Sequence, residues 1–143
     1  MGKDFIAVAR DLAAGASEAY WRSATSRAYY AAYHVAKEAL ERAGIRIPDN
    51  PNSHERVFRC LNNSHDAQLQ DIANDLGLLR RDRIGADYAL AGRTLSHRQA
   101  EADLTQAEAM IRKLEESPLG TGDATHIAEV IEEYLRKTNQ RLE

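Results

Sequence analysis

Apolar residues recur every three or four positions along most of the chain, the spacing that gathers side chains onto one face of a helix. Phe5, Ile6, Val8, Ala9 and Leu12 predict a short first helix over residues 4–14, which Gly15 interrupts. Ser17 offers a cap for the next element. From Ser17 to Ala43 there is no Gly or Pro, and Gly44 stands where a helix stop is expected. The second helix should therefore be the longest, about 40 Å at 1.5 Å per residue. IRIPDNPN, with Pro48 and Pro51, must be a loop, and Ser53 is expected to cap a short third helix through Leu61.

Leu69, Ile72, Leu76 and Leu79 predict a fourth helix from about Ala67 to Leu90, interrupted only by Gly77 and Gly85. Ser96 with Gln99 forms a capping-box pattern, and Leu95 before it can staple onto Ala100. Ala100, Leu104, Ala107, Ile111 and Leu114 continue a fifth helix until SPLGTG breaks it. Asp123 should cap a last helix bearing Ile127, Ile131, Tyr134, Thr138 and Leu142. There is no internal repeat and no low-complexity tract. The reading is an all-α fold, an antiparallel bundle of five to six helices with short connections, in a single domain over residues 1–143.

Composition narrows the field further. The 143 residues suffice for one core. Hydrophobic residues at 43% and charged residues at 29% suit a folded globular chain, and 8 Gly with 3 Pro argue against a sheet with many turns. A net charge of −3 gives no global attraction for phosphate backbones or anionic membranes, so any nucleic-acid role must be local. Cys60, the single cysteine, cannot form an intramolecular disulfide, and in an apolar helical stretch it reads as a small buried hydrophobe. The opening MGKDFIAVARDL lacks the apolar run of a signal peptide or membrane span, and the cytoplasm is the expected compartment.

On the second helix, Trp21, Ala24, Ala28, Ala31, Ala32, Val35 and Ala39 share one face, mostly small residues that allow close helix packing. The opposite face collects Arg27, Tyr30, His34 and Lys37, either a solvated polar surface or a phosphate-recognising strip. Tyr29 and Tyr33 lie on the flank, where partial burial against a helix or a second subunit is expected. On the fourth helix, Arg83 falls near the centre of the apolar stripe, with Arg80 and Asp87 beside it. An arginine there is expensive unless paired, so it bonds Asp87 or lines a cleft where an anion meets it. No phosphate loop, dinucleotide fingerprint or zinc-ligand pair is present. His54 and His65 lack partners at ligand spacing, and no cofactor or metal is implied.

The segments SRAYYAAYHVAKEAL (Ser26–Leu40) and LRRDRIGADY (Leu79–Tyr88) resemble the HEPN family, small helical proteins named for higher eukaryotes and prokaryotes nucleotide-binding. In the prokaryotic branch a Tyr-Tyr-Ala-rich second helix precedes an LRxxRxxADY-like segment and a final helical pair, an order that spans roughly residues 5–140 here. The resemblance implies a homodimer. It also implies metal-independent RNA cleavage by an Arg-x4-6-His motif, in which arginine binds the scissile phosphate and histidine handles protons. Here Arg83 is present but Tyr88 stands at the histidine position, and a phenol with a pKa near 10 is a poor base at neutral pH. Arg59 and His65 match the spacing across the NNSHD turn, which we read as coincidence.

Some HEPN proteins act with a minimal nucleotidyltransferase as toxin and antitoxin, and a tyrosine near the arginine motif can be modified with AMP. Tyr88 has a suggestive position for this, or it packs at a dimer boundary. Two readings follow from the resemblance. The first is a dimeric toxin–antitoxin-type module binding RNA or a nucleotidyltransferase partner through Arg83, Arg80, Asp87, Arg27 and Tyr30, without strong catalysis. The alternative is a ribonuclease with an Arg-x4-Tyr motif, Arg83 and Tyr88, or with His34 or His97 moving the proton.

Overall fold

The computed structural model describes residues 2–15, 17–88, 96–122 and 124–142, except for the side chains of residues 3, 87, 88 and 139–142. The Leu95 staple and the Asp123 cap lie outside the described residues. What is described is all-α: α1 (Gly2–Ala13), α2 (Glu18–Arg42), α3 (Ser53–Asn62), α4 (Ala67–Tyr88), α5 (His97–Glu116), α6 (Pro118–Thr121) and α7 (Thr125–Leu142). The count exceeds five to six because the segment expected only to break α5 closes a turn of its own. Pro118 at the first position suits a helix start, and the Ser117 carbonyl accepts the amides of Gly120 and Thr121. Among the described residues no helix is long and apolar enough to cross a membrane.

The helix ends follow local chemistry. Ser17 Oγ accepts the Tyr20 amide at 3.4 Å at the start of α2. At its other end Gly44 adopts φ +91°, a left-handed conformation that costs a side chain dearly. There the Ile45 amide bonds the Leu40 carbonyl and the Gly44 amide bonds that of Glu41, a Schellman closure. Asp66 caps α4 through the Leu69 amide at 3.0 Å. The residue flanking α3 is Asn52, without a side-chain cap bond; Ser53 is the first helical residue, not its cap. Ser96 Oγ accepts the Gln99 amide at 3.1 Å, but the capping box is only half built. The Gln99 side chain turns instead to Asp82 and Asp103.

The chain divides into two compact units, residues 1–35 with 75–111, and residues 36–74 with 112–143. In the first, the alanine face of α2 (Ala24, Ala28, Ala31 and Ala32) is fully buried, as are Leu76, Leu79, Ala100, Ala107 and Met110. Trp21, on the same face of α2, is half-buried, and its Nε1 donates to the Gly15 carbonyl at 2.9 Å. In the second unit α3 packs against α7, where Val57, Cys60, Leu61 and Ile131 are inaccessible to water. Burial pushes the Cys60 thiol up to about 11, so it is the small hydrophobe that its apolar context predicts.

Candidate functional site

In the first unit, α2 carries Ser26, Arg27, Tyr29, Tyr30, Tyr33 and His34 within nine residues, and α4 brings Arg80 and Arg83 to them. Tyr29 and Tyr33 are 1% and 3% exposed, which corrects the expectation of partly buried flank residues. Their rings stack, centroids 6.2 Å apart, and the arginines of α4 lie beside the Tyr29 ring. Burial raises the Tyr29 phenol well above its ordinary value, despite the opposing positive charges of Arg80 and Arg83.

Arg83 sits in the apolar stripe of α4, half-buried, as the helical wheel predicts. Its Nη2 donates to Tyr30 Oη at 2.9 Å, and its guanidinium carbon lies 4.9 Å from the Tyr30 ring centre and 5.7 Å from that of Tyr29. Two aromatic faces thus form a floor for the cation, a contact that strengthens as water is excluded. Arg80 Nε is buried with no hydrogen-bond partner among the described residues. Asp87 and Tyr88 are helical in backbone, but their side chains lie outside the described residues, so the expected Arg83–Asp87 pair and the role of Tyr88 stay as expectations.

Beside Tyr30 an open groove of about 620 Å³ is lined by Arg22, Ser23, Ser26, Arg27 and Tyr30 from α2 and Ala86 from α4. Arg22 is held by Glu18 at 2.7 Å, while exposed Arg27 has its guanidinium 6.0 Å from the Phe5 ring centre. His34 is half-buried and stacks on Phe5 at 5.3 Å, with the Tyr30 ring 6.2 Å away. His97 stands elsewhere, bonded to Glu101 at 3.1 Å and 5.7 Å from the Trp21 ring. The geometry therefore brings Arg83 to Tyr30 and Tyr29 and Arg80 to Tyr29, sets Arg27 on the adjoining groove and leaves His34 stacked on Phe5 beside Tyr30.

In the second unit a cavity of about 360 Å³ lies among Asn52, Arg56, Arg59 and Tyr134. Its arginines are engaged, Arg59 by Glu55 at 2.7 Å and Arg56 by the Arg46 carbonyl at 3.1 Å. His65 is exposed in the turn that follows, at φ +60°.

The apolar-period reading passes over one polar cluster altogether. Asp103 is 1% exposed on α5 and accepts hydrogen bonds from Thr25 and Gln99. Its signal was an acid at position 103 between Ala100 and Ala107, inside the buried seam. Among the described residues no group of three or more His, Cys, Asp or Glu side chains is arranged to hold a metal.

A family model described as HEPN domain matches residues 1–117. The chain belongs to the HEPN family. No curated protein and no solved structure matches it. The HEPN match runs through α5 and takes in both α2 and α4, so the Arg83–Tyr30 contact lies within it. Membership supports an RNA-binding or nuclease-like module of the HEPN type.

Proposed function

We propose that this HEPN protein is a dimeric RNA-binding module of the toxin–antitoxin type, which grips phosphate through Arg83 and does not cleave vigorously. The observation that carries the reading is Arg83 oriented by Tyr30 over an aromatic floor, next to a groove edged by Arg27. Tyr30 is a neutral acceptor, so it aims the guanidinium without cancelling its charge, and a phosphate gains a directed donor group. Arg80 adds a buried Nε without a partner among the described residues. A minimal nucleotidyltransferase is the protein partner that accompanies this reading, and Asp87 and Tyr88 flank the site in sequence.

The weak point of catalysis is Tyr88 at the family's histidine position. A phenol accepts a proton usefully at neutral pH only if its pKa falls by about three units. The test incubates RNA with purified wild-type protein, Arg83→Ala and Tyr88→His in the presence of a chelator. Wild type should bind RNA without rapid cleavage, Arg83→Ala should lose binding, and Tyr88→His should create or sharply raise cleavage. Light scattering should report a dimer; a monomer at micromolar concentration that stays monomeric on concentration would overturn the dimeric part of this reading.

The second reading, a metal-independent ribonuclease, is favoured by one contact: His34 lies against Tyr30, the residue that holds Arg83. If wild type cleaves RNA and Tyr88→Phe leaves the rate untouched, while His34→Gln abolishes it, the binding-module reading is wrong.

A further inference from the structure

Asp103 is a carboxyl group that water does not reach, and three helices of the first unit meet at it. Its Oδ2 accepts Thr25 Oγ1 of α2 at 2.9 Å, and its Oδ1 accepts Gln99 Nε2 from the preceding turn of α5 at 3.0 Å. The same amide nitrogen donates to Asp82 Oδ2 of α4 at 3.3 Å, so Gln99 bridges the two carboxyl groups and holds them side by side. Among the described residues, the groups acting on Asp103 are Asp82 from α4, the Thr25 hydroxyl from α2 and the Gln99 amide from α5. Among the described residues Arg81 pairs with Asp82, at 3.5 Å and largely exposed, while Arg10 of α1 is taken by Glu108 further along α5.

Two neighbouring carboxylates repel, the more so when one of them is buried, whereas one proton between them turns the repulsion into a hydrogen bond. Burial first, and Asp82 second, push Asp103 up to about 7. Asp82 directly precedes Arg83, and Thr25 shares α2 with Tyr30. Whatever separates Asp82 from Asp103 therefore acts on the stretch of α4 that carries the arginine and on the helix that orients it.

We propose that Asp82 and Asp103 form a proton-dependent clamp that positions Arg83 against Tyr30, tightening the phosphate site when the pair holds a proton and loosening it when both carboxyls ionise. Asp103 is thus a positioning residue, and this regulation rests on the reading of Arg83 as the phosphate contact. The sign follows from linkage. A carboxyl raised in the folded state favours folding most below its unfolded pKa of about 4, and that contribution is lost as pH rises through about 7. The pair thus weakens the fold towards alkaline pH, opposite to an ordinary ion-paired aspartate.

The experiment uses full-length protein, free and with a fluorescein-labelled single-stranded RNA. The Arg83 Nε–Hε resonance of the free protein and the Asp103 carboxyl carbon should shift together between about pH 6 and 8.5. RNA affinity should fall about fivefold or more over that range. In Asp103→Asn the amide mimics the protonated acid, so the Arg83 resonance should stop moving and the extra loss of affinity should vanish. Every histidine is kept in that variant, so histidine titration cancels in the comparison. Asp82→Asn, the second variant, should move the Asp103 titration to lower pH.

An Arg83 resonance that shifts alike in wild type and Asp103→Asn would overturn the clamp. So would an Asp103 titration that leaves Arg83 still, or RNA affinity that ignores it. If RNA fails to bind at any pH while Arg83 follows Asp103, the clamp stands and the RNA-binding reading fails.

Discussion

Arg83 and Tyr30 meet twice: Nη2 donates to the phenol oxygen at 2.9 Å, and the guanidinium carbon sits 4.9 Å from the ring centre of the same residue. The two residues are 53 positions apart, so the contact ties α4 to α2. One contact sets direction and the other supplies a polarisable floor, and neither neutralises the cation.

The two contributions are separable. Tyr30→Phe keeps the ring and removes the acceptor, and should weaken RNA binding by about tenfold, the scale of one hydrogen bond to a charged group. Arg83→Ala should cost more and reduce the salt slope of binding by about one, because a phosphate contact is lost. Titrations of each variant at two salt concentrations measure both effects. Equal affinity for Tyr30→Phe and wild type would mean that the phenol does not aim the arginine.

The buried tyrosines should dominate stability. Tyr29→Ala removes a ring that is 1% exposed and should destabilise the fold by about 3–5 kcal/mol. Tyr20→Ala, at a side chain 51% exposed, should change it by less than about 0.5 kcal/mol. Urea denaturation followed by circular dichroism provides the comparison.

Two glycines with equal room for a methyl group should respond with opposite signs. At Gly44 and at Gly85 a Cβ would meet no atom within 4 Å. Gly44 nevertheless holds φ +91°, so Gly44→Ala should cost about 1 kcal/mol through backbone strain alone. Gly85 lies inside α4, where Gly85→Ala should stabilise by about 0.5–1 kcal/mol. Thermal melts of the two variants decide the matter; stabilisation by Gly44→Ala would contradict the Schellman closure.

Cys60 should resist modification in the native protein. Its thiol is raised to about 11 and fully buried, so thiolate at neutral pH is scarce and out of reach. A chromogenic disulfide reagent should react fast in urea and very slowly without it. Rapid native labelling would show that the α3–α7 packing opens readily.

Much of this arrangement is written in local patterns. The alanine stripe of α2 and the stop at Gly44 follow from spacing and from one residue's conformational freedom, and Arg83 reveals itself by standing in an apolar row. Patterns fail where a residue's role depends on what a distant segment supplies. Tyr29 and Tyr33 look like flank residues on a lone helix, yet both are buried: Tyr29 stacks on Tyr33 and Arg83 of α4 lies over the Tyr29 ring. Gln99 fits a capping box, yet its side chain finds better partners in Asp82 and Asp103, two residues that helical periodicity treats as unrelated. Ser53 has the chemistry of a cap but stands one position too late.

The half-buried Trp21, with its indole nitrogen tied to Gly15, also has an optical consequence. It is the only tryptophan in the chain, so tryptophan emission excited beyond the tyrosine band reports the first compact unit alone, whereas the Cys60 thiol reports the second. A single cooperative molecule would lose tryptophan emission and gain thiol reactivity at one denaturant concentration; two separate midpoints would assign each unit its own transition.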